Sequence, residues 1–595
     1  MNRINATRFM TQEEMKEKYY SLSLDEVKKD EVAGVPLLVS DKKVYMDTED
    51  NHTIVFGSTG SKKTRLLVMP SVELLSRAGE SFVVTDPKGE IYERSAANVA
   101  ARGYQIYCLN LRDFQKGNTW NPLMLPYDYY QKGEKSKAVE MVSEFVRFLV
   151  GEEGTDLFWN NTAMDVITGL ILILLECADR TECHMKSVLY LWECYLAEKR
   201  EWITSIQKKH GNSMIKRKLA SLDNDSERTV GSIEAFVTRS LNRIIANEEF
   251  VSFLSQEGMG FEKVTKNKTA IYLIIPDENK FYHFLTSVFM EQLYEVLIKE
   301  AQKQPQNKLK IRMNYIIDEF ANIPKMQNMD SMITAARSRN IRFNLIVQSK
   351  MQLEEKYGEI ASVICDNCNN WIYLYSKDYG LLNEISKLCG EVIYDNHMTI
   401  PLISEFDLQH LSKEEGEALV LAGRNYPCIV NLADIEEYPT LQIDEKEHQL
   451  YCEQKWSSVP VFTFEKQKPS AHYSYIPREN EYLEYLDFLD SNEDRLDTWL
   501  IGTCNGMILL EELVTRKEAK NGTAALRMCM ELTDKIEDII QLKWYTAPRL
   551  IFRNYARKRF NSPEKVFFTI DEIGEDLFVP LHNEILDKIG RMNLC

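Results

Sequence analysis

The sequence predicts an α/β fold: a parallel sheet covered on both faces by helices, with an all-α domain inserted into it and a C-terminal region of different character. Three observations predict it. Short β-rich runs alternate with helical stretches from residue 53 onward. The alternation stops near residue 130 and gives way to apolar residues at helical spacing up to about 262. Strand-like runs return at 269 and lose their register beyond about 440. Runs of this kind, β-rich and separated by helices, mark βα units whose parallel sheets are buried on both faces.

The elements divide the chain into five stretches. Residues 1–50 are a polar N-terminal segment with one strand-like run, "GVPLLV". Residues 51–133 form the first part of a nucleotide-binding domain. Here "TIVFG", "SFVVTD" and "YQIYCLN" read as strands, with helices through "TRLLVMPSVELLSR" and "IYERSAANVAARG". Residues 134–265 form the inserted all-α domain, including "EKSKAVEMVSEFVRFLV", "NNTAMDVITGLILILLECA", "MKSVLYLWECYLAEK" and "TVGSIEAFVTRSLNRII". Residues 266–440 complete the nucleotide-binding domain with the strands "TAIYLIIP", "RMNYIIDEF", "FNLIVQS", "WIYLYS" and "EALVLAG". Residues 441–595 are a C-terminal region of unassigned role, with a strand-like "VPVFTF" and an acidic stretch, "NEYLEYLDFLDSNEDRLD".

Bulk composition narrows the class. A chain of 595 residues with 44% hydrophobic and 27% charged residues has the balance of a globular protein of about three or four domains. The net charge of -18 excludes a generally basic nucleic-acid coat and confines any such contact to a local groove or channel. Twelve cysteines without regular spacing fit a reducing compartment, and Cys365 and Cys368 read as ordinary thiols rather than as half of a zinc site. The longest apolar run, "VITGLILILL", has ten residues against the ~20 needed to cross a bilayer. A cytoplasmic location follows as the expectation, with membrane contact only through a partner protein.

The chemistry is carried by four segments. "GSTGSKKT", residues 57–64, follows a strand and opens a helix, as a phosphate-binding loop must. Gly57, Ser58, Thr59, Gly60, Ser61, Lys62, Lys63 and Thr64 are its members, with Lys63 reaching the phosphates and Thr64 holding magnesium. Lys62 stands where the pattern has glycine, and we expect its side chain to turn outward and the loop to tolerate it. The second segment is "MNYIIDEFAN". Asp318 would hold magnesium and Glu319 would polarise the attacking water. In the third, Gln348 ends the next strand, where it either senses phosphate or caps the strand's exit. In the fourth, "TDPKGEIY", Asp86 and Lys88 lie at the carboxyl edge of the sheet, where ligands bind, or else form a plain turn. Arg337 and Arg339 in "AARSRN" either reach a neighbouring subunit's phosphate or end a solvated basic helix. The basic stretch "KKHGNSMIKRKL" allows the same two readings toward DNA phosphates.

In order, "GSTGSKKT", "DPKGEIY", "WNPL", "FW", "IIDEFANI" and "FNLIVQS", followed by "EISKLCGE" and "GEALVLAGRNYP", resemble the type IV coupling proteins of bacterial conjugation and type IV secretion. The resemblance spans about residues 50–435. It implies a RecA-type P-loop NTPase domain with an all-α domain, ATP and magnesium as ligands, and a homo-hexameric ring. It further implies ATP hydrolysis that drives single-stranded DNA, bound without sequence preference, with Arg339 as a candidate catalytic arginine. The expected partners are a relaxase or other secretion substrate and the components of a type IV secretion channel. Lys62, the missing N-terminal transmembrane helices and the unmatched tail depart from that pattern. The alternative is a nucleotide-binding adaptor that docks secretion substrates and hydrolyses little ATP; a translocase without a secretion partner is a third reading.

Overall fold

A computed structural model describes residues 3–24, 32–151, 157–209, 213–223, 226–276, 278–394, 399–441, 457–463, 499–503 and 506–510. The chain divides into two compact units, Met1–Phe462 and Thr463–Cys595. In the second unit, Trp499–Thr503 and Gly506–Leu510 pair as an antiparallel hairpin. The acidic stretch read in the tail lies outside the described residues.

Among its described residues the first unit holds fifteen strands. They are β1 (Arg3–Ala6), β2 (Tyr20–Ser23), β3 (Val35–Ser40), β4 (Lys43–Asp47), β5 (Thr53–Gly57), β6 (Ser81–Asp86), β7 (Gln105–Asn110), β8 (Thr269–Ile274), β9 (Met313–Ile317), β10 (Ile341–Val347), β11 (Asn370–Tyr375), β12 (Glu391–Tyr394), β13 (Thr399–Pro401), β14 (Glu417–Ala422) and β15 (Cys428–Asn431). Nine of them form the main sheet, in the order β15-β14-β11-β5-β10-β9-β6-β8-β7. From β11 to β7 all neighbours run parallel, while β14 and β15 are added antiparallel at one edge. The strands before residue 110 and after 269 thus interleave in one sheet. Their apolar runs are buried along their whole length, as a sheet covered on both faces requires.

The parallel arrangement brings the strand ends Gly57, Ile317, Val347, Asp86 and Ile274 to one edge. At the opposite edge sits a small sheet of order β2-β4-β3, inside the stretch read as a polar N-terminal segment. Its β3 falls on the run "GVPLLV" read as strand-like, whereas β2 buries only Leu22 of its four residues, so its apolar pattern is faint. Arg342 locks this sheet in place. Its guanidinium is fully buried and donates to the Ala33 and Asp47 carbonyls (3.0 and 3.3 Å) and to Glu80 (2.8 Å).

The helices between the two halves include Lys135–Val150, Leu157–Cys177, Met185–Glu198 and Glu227–Ile245. Leu157–Cys177 is long and apolar enough to cross a membrane, unlike the ten-residue run read from the sequence, because its flanking turns are also weakly polar. From Val166 to Leu175 every residue is buried among other helices. Asn121 Nδ2 donates to the Cys183 carbonyl (2.9 Å) and Met259 N to the Thr119 carbonyl (2.9 Å), tying the helices to the sheet's connections. Of "VPVFTF", read as strand-like, the described residues 459–463 form no strand. Phe462 is instead buried against these helices, its N–H donating to Ser187 Oγ (3.0 Å), while His184 Nε2 donates to the Pro460 carbonyl (3.0 Å).

Candidate nucleotide site

The loop after β5 turns tightly: Ser61 N donates to the Ser58 carbonyl (3.1 Å), and Ser58 N to the Tyr375 carbonyl at the end of β11 (2.9 Å). Gly57 is required by space. A Cβ there would stand 2.4 Å from Ser61 Oγ and 2.9 Å from Lys63 Cγ. Gly60 takes φ +81° and Lys62 takes φ +63°, both left-handed. Lysine therefore occupies the backbone conformation that glycine reaches freely, at the steric cost of a Cβ. The Lys62 ammonium lies 3.5 Å from Asp434 and 4.0 Å from Glu414. The chain then enters a π-helical turn, Thr64–Val68, which leads into the α-helix Met69–Ala78. Single π turns of this sort recur at functional sites.

Five of the residues named from the sequence meet here, with Thr59 at their edge. Thr64 Oγ1 donates to Asp318 Oδ2 (2.9 Å). Lys63 Nζ donates to the Ser58 carbonyl (3.3 Å) and lies 3.8 Å from Glu319. Gln348 Nε2 donates to Glu319 Oε2 at 2.5 Å, and Thr59 Oγ1 approaches Gln348 Oε1 at 3.4 Å. Glu319 itself has φ +56°, a strained conformation for a side-chain-bearing residue. Asp318 is buried, and that burial, followed by the neighbouring Glu319 charge, raises its carboxyl to about 6 against the pull of Lys63 and Thr64. Two further residues complete the cluster. Asn322 Nδ2 donates to Glu319 Oε2 (2.9 Å), and Thr85 Oγ1 donates to the Asp318 carbonyl (2.8 Å). Asn322 stands three residues after Glu319 in "DEFAN", close enough in sequence to have been read; Thr85 reaches across from a neighbouring strand and gives no such signal.

The other candidates stand elsewhere. Asp86 spends both carboxylate oxygens on the start of the helix Glu90–Ala101, accepting from Gly89 N and Tyr92 N (2.8 Å each). Burial raises its carboxyl to about 7. Its geometry is that of a helix cap. Lys88 is exposed and borders a separate cavity of about 700 Å3 with Arg112, Phe114 and Tyr282. Arg337 and Arg339 form the turn just before β10, at the edge where the strands begin. Seven strand residues at ~3.3 Å each separate Arg339 from Gln348, so it is no part of this chain's own loop cluster. Of the basic stretch, Lys216 and Arg217 are exposed on the helix Ser213–Lys218, while Lys218 pairs with Asp165.

The cluster suits a magnesium-bound phosphate. Ser61 Oγ is buried in the loop without a hydrogen-bond partner, and Thr64 with Asp318 offers a hard-oxygen pair. No cluster of three or more His, Cys, Asp or Glu with metal-site geometry occurs among the described residues. An ion of the magnesium type takes one or two protein oxygens and completes its shell from phosphate and water, and Thr64 with Asp318 offers such a pair. Beside the loop, a cavity of about 340 Å3 is lined by Thr59, Gly60, Leu66, Leu374, Tyr375 and Gln409, among others.

Comparisons with known proteins bear on the family and the fold. The family model for conjugative DNA transfer by the type IV secretory system matches residues 8–400. Protein VirD4 of Rhizobium radiobacter is 21% identical over 380 residues, 62% of this chain and 53% of that protein, so the chain spans about half the length of this relative. The bacterial conjugative coupling protein TrwBdeltaN70, in its unbound monoclinic form, superposes with a TM-score of 0.52 at 16% identity, covering 72% of this chain and 94% of that one. TrwB in complex with ADP and Mg2+ gives 0.52 and 16%, over 73% and 94%. At such identity the likeness is one of fold, a RecA-type P-loop NTPase domain carrying a helical domain. With well over half of its length matched by the family model, the chain belongs to the conjugative DNA transfer family of the type IV secretory system.

Proposed function

We propose that this protein is an ATP-driven DNA translocase that couples a DNA–relaxase substrate to a type IV secretion channel. One observation carries the reading: Lys63, Thr64, Asp318, Glu319 and Gln348 converge from a loop and two strand ends into one hydrogen-bonded cluster. In this reading the loop residues Gly57 to Thr64 cradle the phosphates of ATP, and the adjoining cavity, within the ~300–1,000 Å3 range of ligand sites, takes the base. Thr64 and Asp318 would hold magnesium, which would supply charge neutralisation at the phosphates. Glu319, oriented by Gln348 and Asn322, accepts the proton of the attacking water. Arg339, at the far edge of the sheet, acts only on a neighbouring subunit's site, which requires a ring, here a homo-hexamer.

DNA is gripped without sequence preference, through phosphates. Three lysines in the mixed-charge lining of a cavity of about 590 Å3 favour this: Lys132, Lys263 and Lys266 border it beside Glu262, are exposed, and have no ion-pair partner among the described residues. The protein works at the cytoplasmic side, meeting the membrane through its channel partners. The test is ATP turnover with and without single-stranded DNA, for wild type and Glu319→Gln. Wild type is expected to turn over ATP, faster with DNA, and Glu319→Gln to lose at least about a hundredfold while keeping nucleotide affinity. Nucleotide binding without turnover in wild type would favour a substrate-docking adaptor instead.

A further inference from the structure

We infer that Asp434 is a positioning residue of the phosphate loop, holding Lys62 in the left-handed conformation that a glycine would adopt unaided. The inference rests on the reading of this loop as a nucleotide site.

The loop carries two consecutive lysines with different partners. Lys63 points to the Ser58 carbonyl and Glu319. Lys62 points to Asp434 at 3.5 Å and, more loosely, to Glu414 at 4.0 Å. Its φ of +63° is one that a Cβ disfavours, so something beyond local preference must hold it. Within the loop, the Lys62 carbonyl accepts from Leu66 N (2.9 Å), which fixes the residue's exit but not the side-chain direction.

Asp434 is built to supply the rest. Its side chain is 19% exposed and that of Lys62 24%, so the pair is shielded from full solvent screening. The same carboxylate receives Arg65 in a two-point contact, Nε at 3.1 Å and Nη2 closer still. One acid thus grips the residues on either side of Lys63 and Thr64. Asp434 is itself held at a short 3-10 turn: its N–H donates to Glu437 (3.2 Å), and Glu437 N donates back to its carbonyl (2.9 Å). That turn follows β15, the antiparallel strand two places beyond β11 in the sheet. Burial alone would raise the Asp434 carboxyl, but Arg65 and Lys62 overrule it and keep the group below its usual value, hence charged. Lysine in the loop and aspartate in the turn form a matched pair: were the lysine a glycine, the aspartate would have less to do.

The dependence is read in a four-protein cycle of wild type, Lys62→Gly, Asp434→Asn and the double variant. Calorimetry with magnesium and the non-hydrolysable analogue ADPNP gives the affinities. Asp434→Asn is expected to weaken binding about tenfold in the wild-type loop and less than about twofold in the Lys62→Gly background, given the modest worth of a partly shielded pair plus a strained residue. Asp434→Glu should recover most of the loss, and the tenfold effect should persist in an Arg65→Gln background. An equal effect of Asp434→Asn in the wild-type and Lys62→Gly backgrounds, or none in either, overturns the inference. Amide hydrogen exchange of residues 57–66 in the free proteins gives a second reading without nucleotide. Asp434→Asn should speed exchange several-fold only where Lys62 is retained, and unchanged exchange overturns the inference. If wild type fails to bind ADPNP, the nucleotide-site reading falls, and exchange still decides whether Asp434 positions the loop.

Discussion

At the scale of single residues the most exposed prediction concerns Asp318. A group that must coordinate a metal has to give up its proton first. Burial and the Glu319 charge place the Asp318 carboxyl at about 6, above its ordinary ~3.9 in an unfolded chain. Magnesium-dependent nucleotide binding should therefore weaken as pH falls through 6, by up to about tenfold per unit, the limit for one competing proton. Calorimetry at pH 5 to 8 should also register proton release near pH 6, absent in Asp318→Asn. For the free protein the sign is opposite. The folded state holds more protons than the unfolded state between about 4 and 6, so the stability contributed by this group is lost as pH rises through that window. Asp318→Asn should accordingly raise the denaturation midpoint at pH 7 while abolishing magnesium dependence; a lowered midpoint would contradict the burial argument. Which residues the sequence discloses follows from distance along the chain. Lys63 and Thr64 open a helix, and Asp318, Glu319 and Gln348 end apolar strands, so their positions are visible in local pattern. Asp434 acts on a residue far away in sequence, and nothing near it in "NLADIEE" signals a phosphate loop. Arg339 shows the converse: its place before a strand was visible, but which sheet edge that put it on depended on the parallel register.

At the scale of elements, the main sheet's longer strands were legible because each carries a largely apolar run bounded by polar turns. β15 was not: it is four residues long, and half of it is only partly buried. In the small β2-β4-β3 sheet the run at β3 was legible, but β2 was not, since it is four residues long and buries only Leu22; the sheet docks through apolar side chains such as Leu37, Leu38, Val44 and Met46 and through one buried arginine, Arg342. That arginine makes a test. Arg342→Met would leave the Ala33 and Asp47 carbonyls without their donor and leave Glu80 to Arg312 (3.3 Å) and Asn314 (2.9 Å). Removing one partner of a buried pair typically costs about 3–5 kcal/mol. Chemical denaturation should show a loss of that order. Glu80→Gln combined with Arg342→Met should lose less than the two single changes added together, because they share one network.

At the scale of the molecule, charge decides what DNA binding can look like. A chain of net charge -18 repels a polyanion at long range, so attachment has to come from a local surface rich in unpaired cations. The stretch around Lys216 was the sequence's candidate, but Lys218 there is already paired with Asp165. Lys132 is far in sequence from Lys263 and Lys266 and meets them only in the folded protein, along one cavity that Trp120, Tyr129 and Phe261 also border. Phosphate contacts release counterions, and for a single strand the affinity falls with salt by about 0.7 log unit per log unit for each contact made. Glutamine at all three lysines should therefore weaken binding to oligonucleotides of any sequence by a similar factor and lower the salt slope by about 2. Fluorescence anisotropy over a salt series, with two unrelated single-stranded sequences, measures both quantities. An unchanged slope would move the DNA path off this surface, and a loss confined to one sequence would mean that bases, not phosphates, are being read.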